Sequence, residues 1–334
     1  EKYSPTPATA SIRMFLTMVA AKDGELRHFD AEQAFLKAAI DEVIYIEIPE
    51  EFQEFSGAVG RLNKAIYGLV QAGRCWNNKF LNPCVFHKVG DGEAEMVVVV
   101  YADDILAHAK DQATMDRFAA ELGHKFKLKD MDDAGYYMGY RITRNRKVRE
   151  LKLDQHFYEE SMVKRFDVKK ATKVPAALGM PTLSKADEPR NPKEKEEMRK
   201  FPYREAVGAL VWTATTTRPY IACAVRAVAG SCENPGPVHK KPVMKILQYF
   251  LHTKEWGIMC GGQGCVLCME ACTDSDFGAW LDTKRSVSGA MLMLAKGTIS
   301  WHTRMQEVTA SGTLEAEYVA LSEVVKEVIF LIQV

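Results

Sequence analysis

The run Met96-Val97-Val98-Val99-Val100-Tyr101 constrains this chain more than any other stretch. Short, β-branched and free of polar interruptions, it reads as a buried strand. It delivers Asp103-Asp104 to a tight turn, from which Ile105-Leu106-Ala107 begins the return strand. Asp30 stands in a similar place, at the end of the short strand Arg27-His28-Phe29-Asp30. Carboxylates at the ends of apolar strands are costly unless a cation or a partner compensates them. Hard oxygen ligands suit magnesium, and two such ions about 4 Å apart activate an attacking hydroxyl and stabilise a leaving oxygen. Asp is also a frequent turn residue, so the same pair suits a plain hairpin.

Around this centre the chain reads as alternating helices and strands. Residues 8–22 are expected to be helical with Ile12, Phe15, Leu16 and Val19 on one face, followed by helical stretches at 31–39 and 61–80. Tyr45 to Pro49 alternates as a strand, Gly90-Asp91-Gly92 marks a turn, and residues 111–124 are amphipathic with Met115, Phe118, Ala119 and Leu122 inward. A hairpin is expected from Tyr136 to Ile142 and Leu151 to Leu153, then a helix at 155–166. The proline-rich, charged stretch 175–200 reads as a linker, with Pro175, Pro181, Pro189 and Pro192. Helices at 203–230 and 239–253, strands at 256–260, 266–274, 287–295 and 297–302, and a helix from about 313 complete the reading.

With 334 residues, about two domains are expected, and 47% hydrophobic content supports real cores. No apolar run reaches the roughly 20 residues of a membrane span, and the start at Glu1-Lys2-Tyr3-Ser4-Pro5 has no signal pattern, so an intracellular, soluble protein is expected. The 44 basic and 44 acidic residues balance, but residues 1–110 carry 11 Lys/Arg against 16 Asp/Glu and residues 111–200 carry 21 against 16. An acidic first part and a basic middle suit a metal site beside a nucleic-acid grip. Of the eight cysteines, Cys260, Cys265, Cys268 and Cys272 resemble part of an iron–sulfur spacing. The plainer reading makes Gly261-Gly262-Gln263-Gly264 a hairpin turn between two strands that carry the thiols.

Four ordered motifs change the weight of the carboxylates. Asp30-Ala31-Glu32-Gln33-Ala34-Phe35-Leu36, Tyr45-Ile46-Glu47-Ile48-Pro49-Glu50-Glu51-Phe52, Leu62-Asn63-Lys64-Ala65-Ile66-Tyr67-Gly68-Leu69-Val70-Gln71-Ala72 and Tyr101-Ala102-Asp103-Asp104-Ile105-Leu106 together resemble the reverse transcriptase of copia-type LTR retrotransposon Pol polyproteins. The resemblance continues through Tyr137-Met138-Gly139, Thr217-Arg218-Pro219 and Asp274-Ser275-Asp276-Phe277 to Glu315-Ala316-Glu317-Tyr318.

The resemblance implies an α+β fold with a palm and thumb over residues 1–174, a linker at 175–200, a helical connection at 201–255 and a ribonuclease H-like α/β domain at 256–334. It implies that Asp30, Asp103 and Asp104 hold two magnesium ions, or manganese, for nucleotidyl transfer. Phe35 would exclude a ribose 2′-hydroxyl, Gln71 would lie against the incoming nucleotide or template, and Tyr137, Met138 and Gly139 would position the primer. The plain alternatives are a core phenylalanine and a solvated glutamine. Asp274 and Glu317 match ribonuclease H carboxylates, with Asp276 a neighbour. Partners would be an RNA template, a DNA primer, an RNA–DNA hybrid and deoxynucleoside triphosphates, in a cytoplasmic virus-like particle or the nucleus.

Departures from the family pattern set further expectations. The chain starts where relatives have completed their fingers strands, stretches near Phe80 to Cys84 are shortened, and Val70 and Gly73 replace a usual lysine and proline. The later ribonuclease H carboxylates do not appear before Val334. A decayed polymerase fragment is the expected function, and a non-catalytic nucleic-acid-binding remnant of the same polyprotein is the alternative.

Overall fold

The structure, a computed structural model, describes residues 6–49, 51, 57–77, 85–90, 93–131, 134–174 and 183–333. Motif residues Glu50 and Phe52, the turn residues Asp91 and Gly92, the shortened stretch at Phe80 to Cys84, and Pro175 and Pro181 lie outside the described residues. The chain divides into two compact units, Glu1–Phe15 with Lys22–Ala134 and Leu16–Ala21 with Gly135–Val334. Helix α1 (Thr9–Lys22) buries Ile12, Phe15, Leu16 and Val19, as their spacing predicts.

The first unit is built on five strands: β1 (Glu25–Ala31), β4 (Val85–Gly90), β5 (Glu93–Tyr101), β6 (Asp104–Ala109) and β7 (Leu128–Asp130). They hydrogen-bond in the order β4-β5-β6-β1-β7. Every residue from Met96 to Val100 is buried, which explains why this strand shows no polar alternation. Met96, Val98 and Val100 join a core with Phe29, Ile105, Met115 and Trp76, whereas Val97 and Val99 pair with His108 and Leu106 across β6. Each buried valine is worth about 1.5–3 kcal/mol relative to exposure. Helix α4 (Gln112–Lys125) begins at Asp111, whose side chain accepts the Thr114 amide at 2.8 Å, and it lays Met115 and Leu122 on that core. Strands β2 (Tyr45–Glu47) and β3 (Val59–Arg61) pair as a separate ribbon.

Two expected helices shrink. Over 31–39 only α2 (Ala34–Lys37) is helical, because Gln33 takes a left-handed φ of 57° that no helix interior tolerates. Over the described residues 61–77 the chain starts as β3 (Val59–Arg61), turns through Gly68 at φ 93°, and becomes helical in α3 (Ala72–Asn77). Apolar spacing at Leu62, Ile66 and Leu69 imitates a helix that the glycine interrupts.

In the second unit, β8 (Tyr136–Tyr137), β9 (Tyr140–Asn145), β10 (Glu150–Asp154) and β11 (Ile258–Gly261) form one sheet in the order β11-β10-β9-β8. The predicted hairpin is therefore present, joined by a strand from far along the chain. Helix α5 (His156–Arg165) follows as expected. In the described part of the linker stretch, Ser184 and Asp187 form a capping box, and Asn191 caps α6 (Pro192–Arg199), where Pro192 occupies the first helical turn rather than breaking it. The expected helix 203–230 divides into α7 (Tyr203–Thr216) and α8 (Ala222–Ala229), because Pro219 disfavours a helical Arg218. Helix α9 (Pro237–Thr253) packs with α7 and α8 around Leu210, Val225, Ile246 and Phe250.

The core of these helices carries a buried ion pair. Arg218, fully buried, donates from Nε to Glu159 Oε1 at 2.6 Å, forms a second bond from Nη2 to Glu159 Oε2, and reaches the Thr253 carbonyl at 2.7 Å. Burial pushes the Glu159 carboxyl up to about 7, against the pull of Arg218.

Strands β12 (Met269–Ser275), β13 (Val287–Leu294) and β14 (Gly297–Met305) form a purely antiparallel sheet, and α10 (Thr313–Gln333) covers one of its faces. The hairpin expected across Gly261 to Gly264 does not form, because β11 pairs with β10 and β12 with β13, in different sheets. Positive φ values at Gly261, Gly262 and Gly264 carry the chain from one sheet to the other. Cys260 is buried, the Cys265 thiol donates to the Gly261 carbonyl at 3.1 Å, and Cys268 and Cys272 are exposed.

Candidate active site

The first unit gathers the three aspartates at one end of its sheet. Asp30, near the end of β1, lies directly across from Asp104, the first residue of β6, so strand register turns both side chains to the same face. Tyr101 pairs with Asp104, leaving Ala102 and Asp103 as a two-residue hairpin loop. Ala102 has φ 51°, a left-handed conformation that costs a non-glycine residue on the order of 1 kcal/mol or more. Surrounding bonds hold it. The Trp76 indole N–H donates to the Ala102 carbonyl at 2.6 Å, and the Ala31 amide donates to the Asp103 carbonyl at 2.9 Å.

Electrostatics mark the same spot. Partial burial, then the charges of Asp103 and Asp104, push the Asp30 carboxyl above its usual range, with His28 and Lys129 opposing. The Tyr67 hydroxyl is also pushed up, by burial and then by Asp103 and Asp30, while the Ala34 amide bonds to it. His28 Nε2 lies 2.8 Å from Asp104 Oδ1. Three carboxylates that repel one another and oxygen donors of the hard class suit a divalent cation. Among the described residues, however, no three His, Cys, Asp or Glu side chains are already gathered as a closed metal cage.

Phe35 is half-buried, packs against the core of the sheet and lies against the Tyr67 ring, with centroids 4.7 Å apart. Gln71 donates to Glu42 at 3.1 Å, and Arg74 beside it bonds to Asp41 at 2.8 Å. Trp76, Tyr67 and His28 escaped the sequence reading as functional candidates. Tyr67 stood inside a quoted motif, but nothing in its spacing showed which way its hydroxyl points.

The remaining candidates lie in the second unit. Tyr137 pairs with Tyr140 around a two-residue loop of Met138 and Gly139, at φ 48° and 85°, the pattern of a type I′ turn. Asp274 on β12 pairs with Gly289, which places it on the sheet face that also carries Met291 and Trp301. Helix α10 covers the other face, where His302 and Ser300 meet Glu327. Glu317 lies in the first turns of α10, the helix that packs against β12, the strand that carries Asp274. Asp276 is engaged with backbone: it accepts the Val287 amide at 2.7 Å.

Geometry of this kind, paired carboxylates on an antiparallel sheet with a tight aspartate hairpin, stands beside the family comparison. Residues 1–178 match the reverse transcriptase (RNA-dependent DNA polymerase) family, and the chain belongs to it. Among its relatives are Pol polyproteins of copia-type transposons. The chain is 36% identical to the retrovirus-related Pol polyprotein from transposon TNT 1-94 of Nicotiana tabacum over 99% of its own length and 26% of that protein. It is 28% identical to the corresponding polyproteins from transposons RE2 and RE1 of Arabidopsis thaliana, over 95% of its length and 22% of theirs. The chain thus spans about a quarter of the length of the curated relatives it matches.

Proposed function

We propose that this chain is the RNA-directed DNA polymerase part of a copia-type Pol polyprotein, with Asp30, Asp103 and Asp104 holding divalent cations for nucleotidyl transfer. The observation that carries the reading is the crowding of Asp30 by Asp103 and Asp104 beside a strained, pinned hairpin. Magnesium or manganese bound there would lower the pKa of a primer hydroxyl and neutralise the leaving pyrophosphate. This chain's own residues hold and orient. His28, with its proton on Nε2, fixes one oxygen of Asp104, and Trp76 keeps the Ala102–Asp103 loop in one conformation. Phe35, backed by Tyr67, would meet the sugar and reject a 2′-hydroxyl. Gln71 would exchange its bond to Glu42 for the nucleotide or template, and the Tyr137-Met138-Gly139 hairpin would carry the primer end.

Residues 1–174 are assigned to palm and thumb, 175–200 to a linker, 201–255 to a helical connection and 256–334 to a ribonuclease H-like domain. The family motifs support these boundaries, whereas the compact units divide the chain at residue 135. Primer extension on a poly(rA) template tests the reading. Incorporation that requires magnesium and fails in Asp103→Asn supports it. Salt-dependent binding of duplex without incorporation supports the non-catalytic remnant.

A further inference from the structure

Phe35 and Tyr67 come from different motifs and meet ring to ring, with centroids 4.7 Å apart and planes inclined at 51°. Their two segments are tied together beside that contact. The Ala65 amide donates to the Ala38 carbonyl at 3.0 Å, and Ala39 bridges Lys64. Ala34, Ala38 and Ala65 are all buried, and their small side chains let the backbones approach. Tyr67 and Gly68 then occupy the centre of a turn closed by the Leu69 amide on the Ile66 carbonyl at 3.3 Å. Gly68, at φ 93°, supplies the positive φ of the third position. The turn sets the Tyr67 ring on Phe35 while leaving Tyr67 52% exposed.

Phe35 needs such a neighbour. Its helix, α2, is four residues long, and Gln33 at its start makes no side-chain capping bond. So short a helix does not hold its own shape. The core of the sheet takes one side of Phe35, and Tyr67 packs on it as well. Tyr67 in turn lies within the field of the carboxylates, since the charges of Asp103 and Asp30 act on its hydroxyl. On the polymerase reading proposed above, on which this step rests, we infer that Tyr67 is a specificity-determining residue, a brace that keeps Phe35 from yielding to a ribose 2′-hydroxyl. Rejection of one extra oxygen depends on a clash, and a clash discriminates only where the wall cannot move aside. Without the Tyr67 ring, Phe35 gains a space larger than a hydroxyl beside a helix of one turn. Tyr67 acts through Phe35 and not on the reacting atoms, so it is a positioning residue. Its loss should therefore improve the use of ribonucleotides.

Primer extension by the full chain on a poly(rA) template with an oligo(dT) primer tests this, with dUTP and UTP as substrates that differ only at the 2′ position. The wild type should prefer dUTP. Tyr67→Ala should lower the dUTP-to-UTP ratio of kcat/KM by about 2- to 10-fold, the range that one aromatic pair supplies, chiefly through faster use of UTP. Tyr67→Phe keeps the ring and should keep the wild-type ratio. Added to Phe35→Ala, Tyr67→Ala should change the ratio no further, because the braced ring is already missing. Circular dichroism checks each fold, and Tyr67→Leu replaces the alanine variant if that one does not fold. A wild-type ratio in Tyr67→Ala beside a lowered one in Phe35→Ala would overturn the brace and leave the polymerase reading standing. Loss of the ratio in Tyr67→Phe would overturn it equally. A wild type that incorporates neither nucleotide, or both alike, would overturn the polymerase reading and the brace with it.

Discussion

Trp76 donates its indole N–H to the carbonyl oxygen of Ala102 at 2.6 Å, so one fully buried side chain holds the left-handed residue that precedes Asp103. The contact links α3 to the β5–β6 hairpin and turns a costly backbone conformation into a defined one. Trp76→Phe keeps most of the buried ring but leaves the carbonyl without this donor. It should cost about 1–3 kcal/mol in urea unfolding, and it should lower primer extension by about tenfold, on the order of the 1–1.5 kcal/mol of one lost orienting bond. A variant with wild-type extension and reduced stability would separate the tryptophan from the site.

Asp103→Asn should stabilise the metal-free protein while removing activity. Asp30 is held above its usual range partly by Asp103, and a raised carboxyl lowers stability as pH climbs from the unfolded value through the folded one. Relieving the repulsion should raise the thermal midpoint by about 1–2 °C at pH 7. The gain should vanish near pH 3, where the unfolded and folded carboxyls are both protonated. A thermal melt series across pH in EDTA measures it.

Asp154 presents the opposite sign. Its burial tends to raise the carboxyl, but bonds from Arg141 at 2.8 and 3.0 Å, from the His156 amide and from Lys152 outweigh it and hold the group below the usual carboxylate range. That stability is present above the unfolded pKa and is lost as pH falls through the folded one. Asp154→Asn should therefore cost about 1.5–3 kcal/mol at pH 7, with the difference shrinking in acid. Chemical denaturation at pH 7 and pH 3 checks both the size and the direction.

Arg218→Met would strand the buried Glu159 carboxylate. Breaking one side of such a pair costs about 3–5 kcal/mol. Glu159 already stands at about 7 through burial, so the variant should lose less at pH 5, where a neutral carboxyl is cheaper to bury, than at pH 8. Equal losses at the two pH values would show that the pair's charge is not what the site depends on.

Much of the fold was readable wherever burial leaves a periodic trace. Residues 96 to 100 gave a strand because both faces are covered, and Ile12, Phe15, Leu16 and Val19 gave a helix because one face is. Segments ruled by local backbone conformation were misread: Gln33 and Gly68, both at positive φ, delay helices that apolar spacing alone would start earlier. Asp30, Asp103 and Asp104 were visible as strand-end carboxylates. Trp76 was not, because its role comes from a contact with a residue 26 positions away that no local pattern encodes.

Manganese binding followed by electron paramagnetic resonance tests the central claim, that Asp30 and the Asp103–Asp104 pair share divalent cations. Wild-type protein should bind the ion, and Asp30→Asn and Asp103→Asn should each weaken binding by about tenfold or more with native circular dichroism, as expected when a charged ligand is removed. Either variant binding manganese as the wild type does would contradict it.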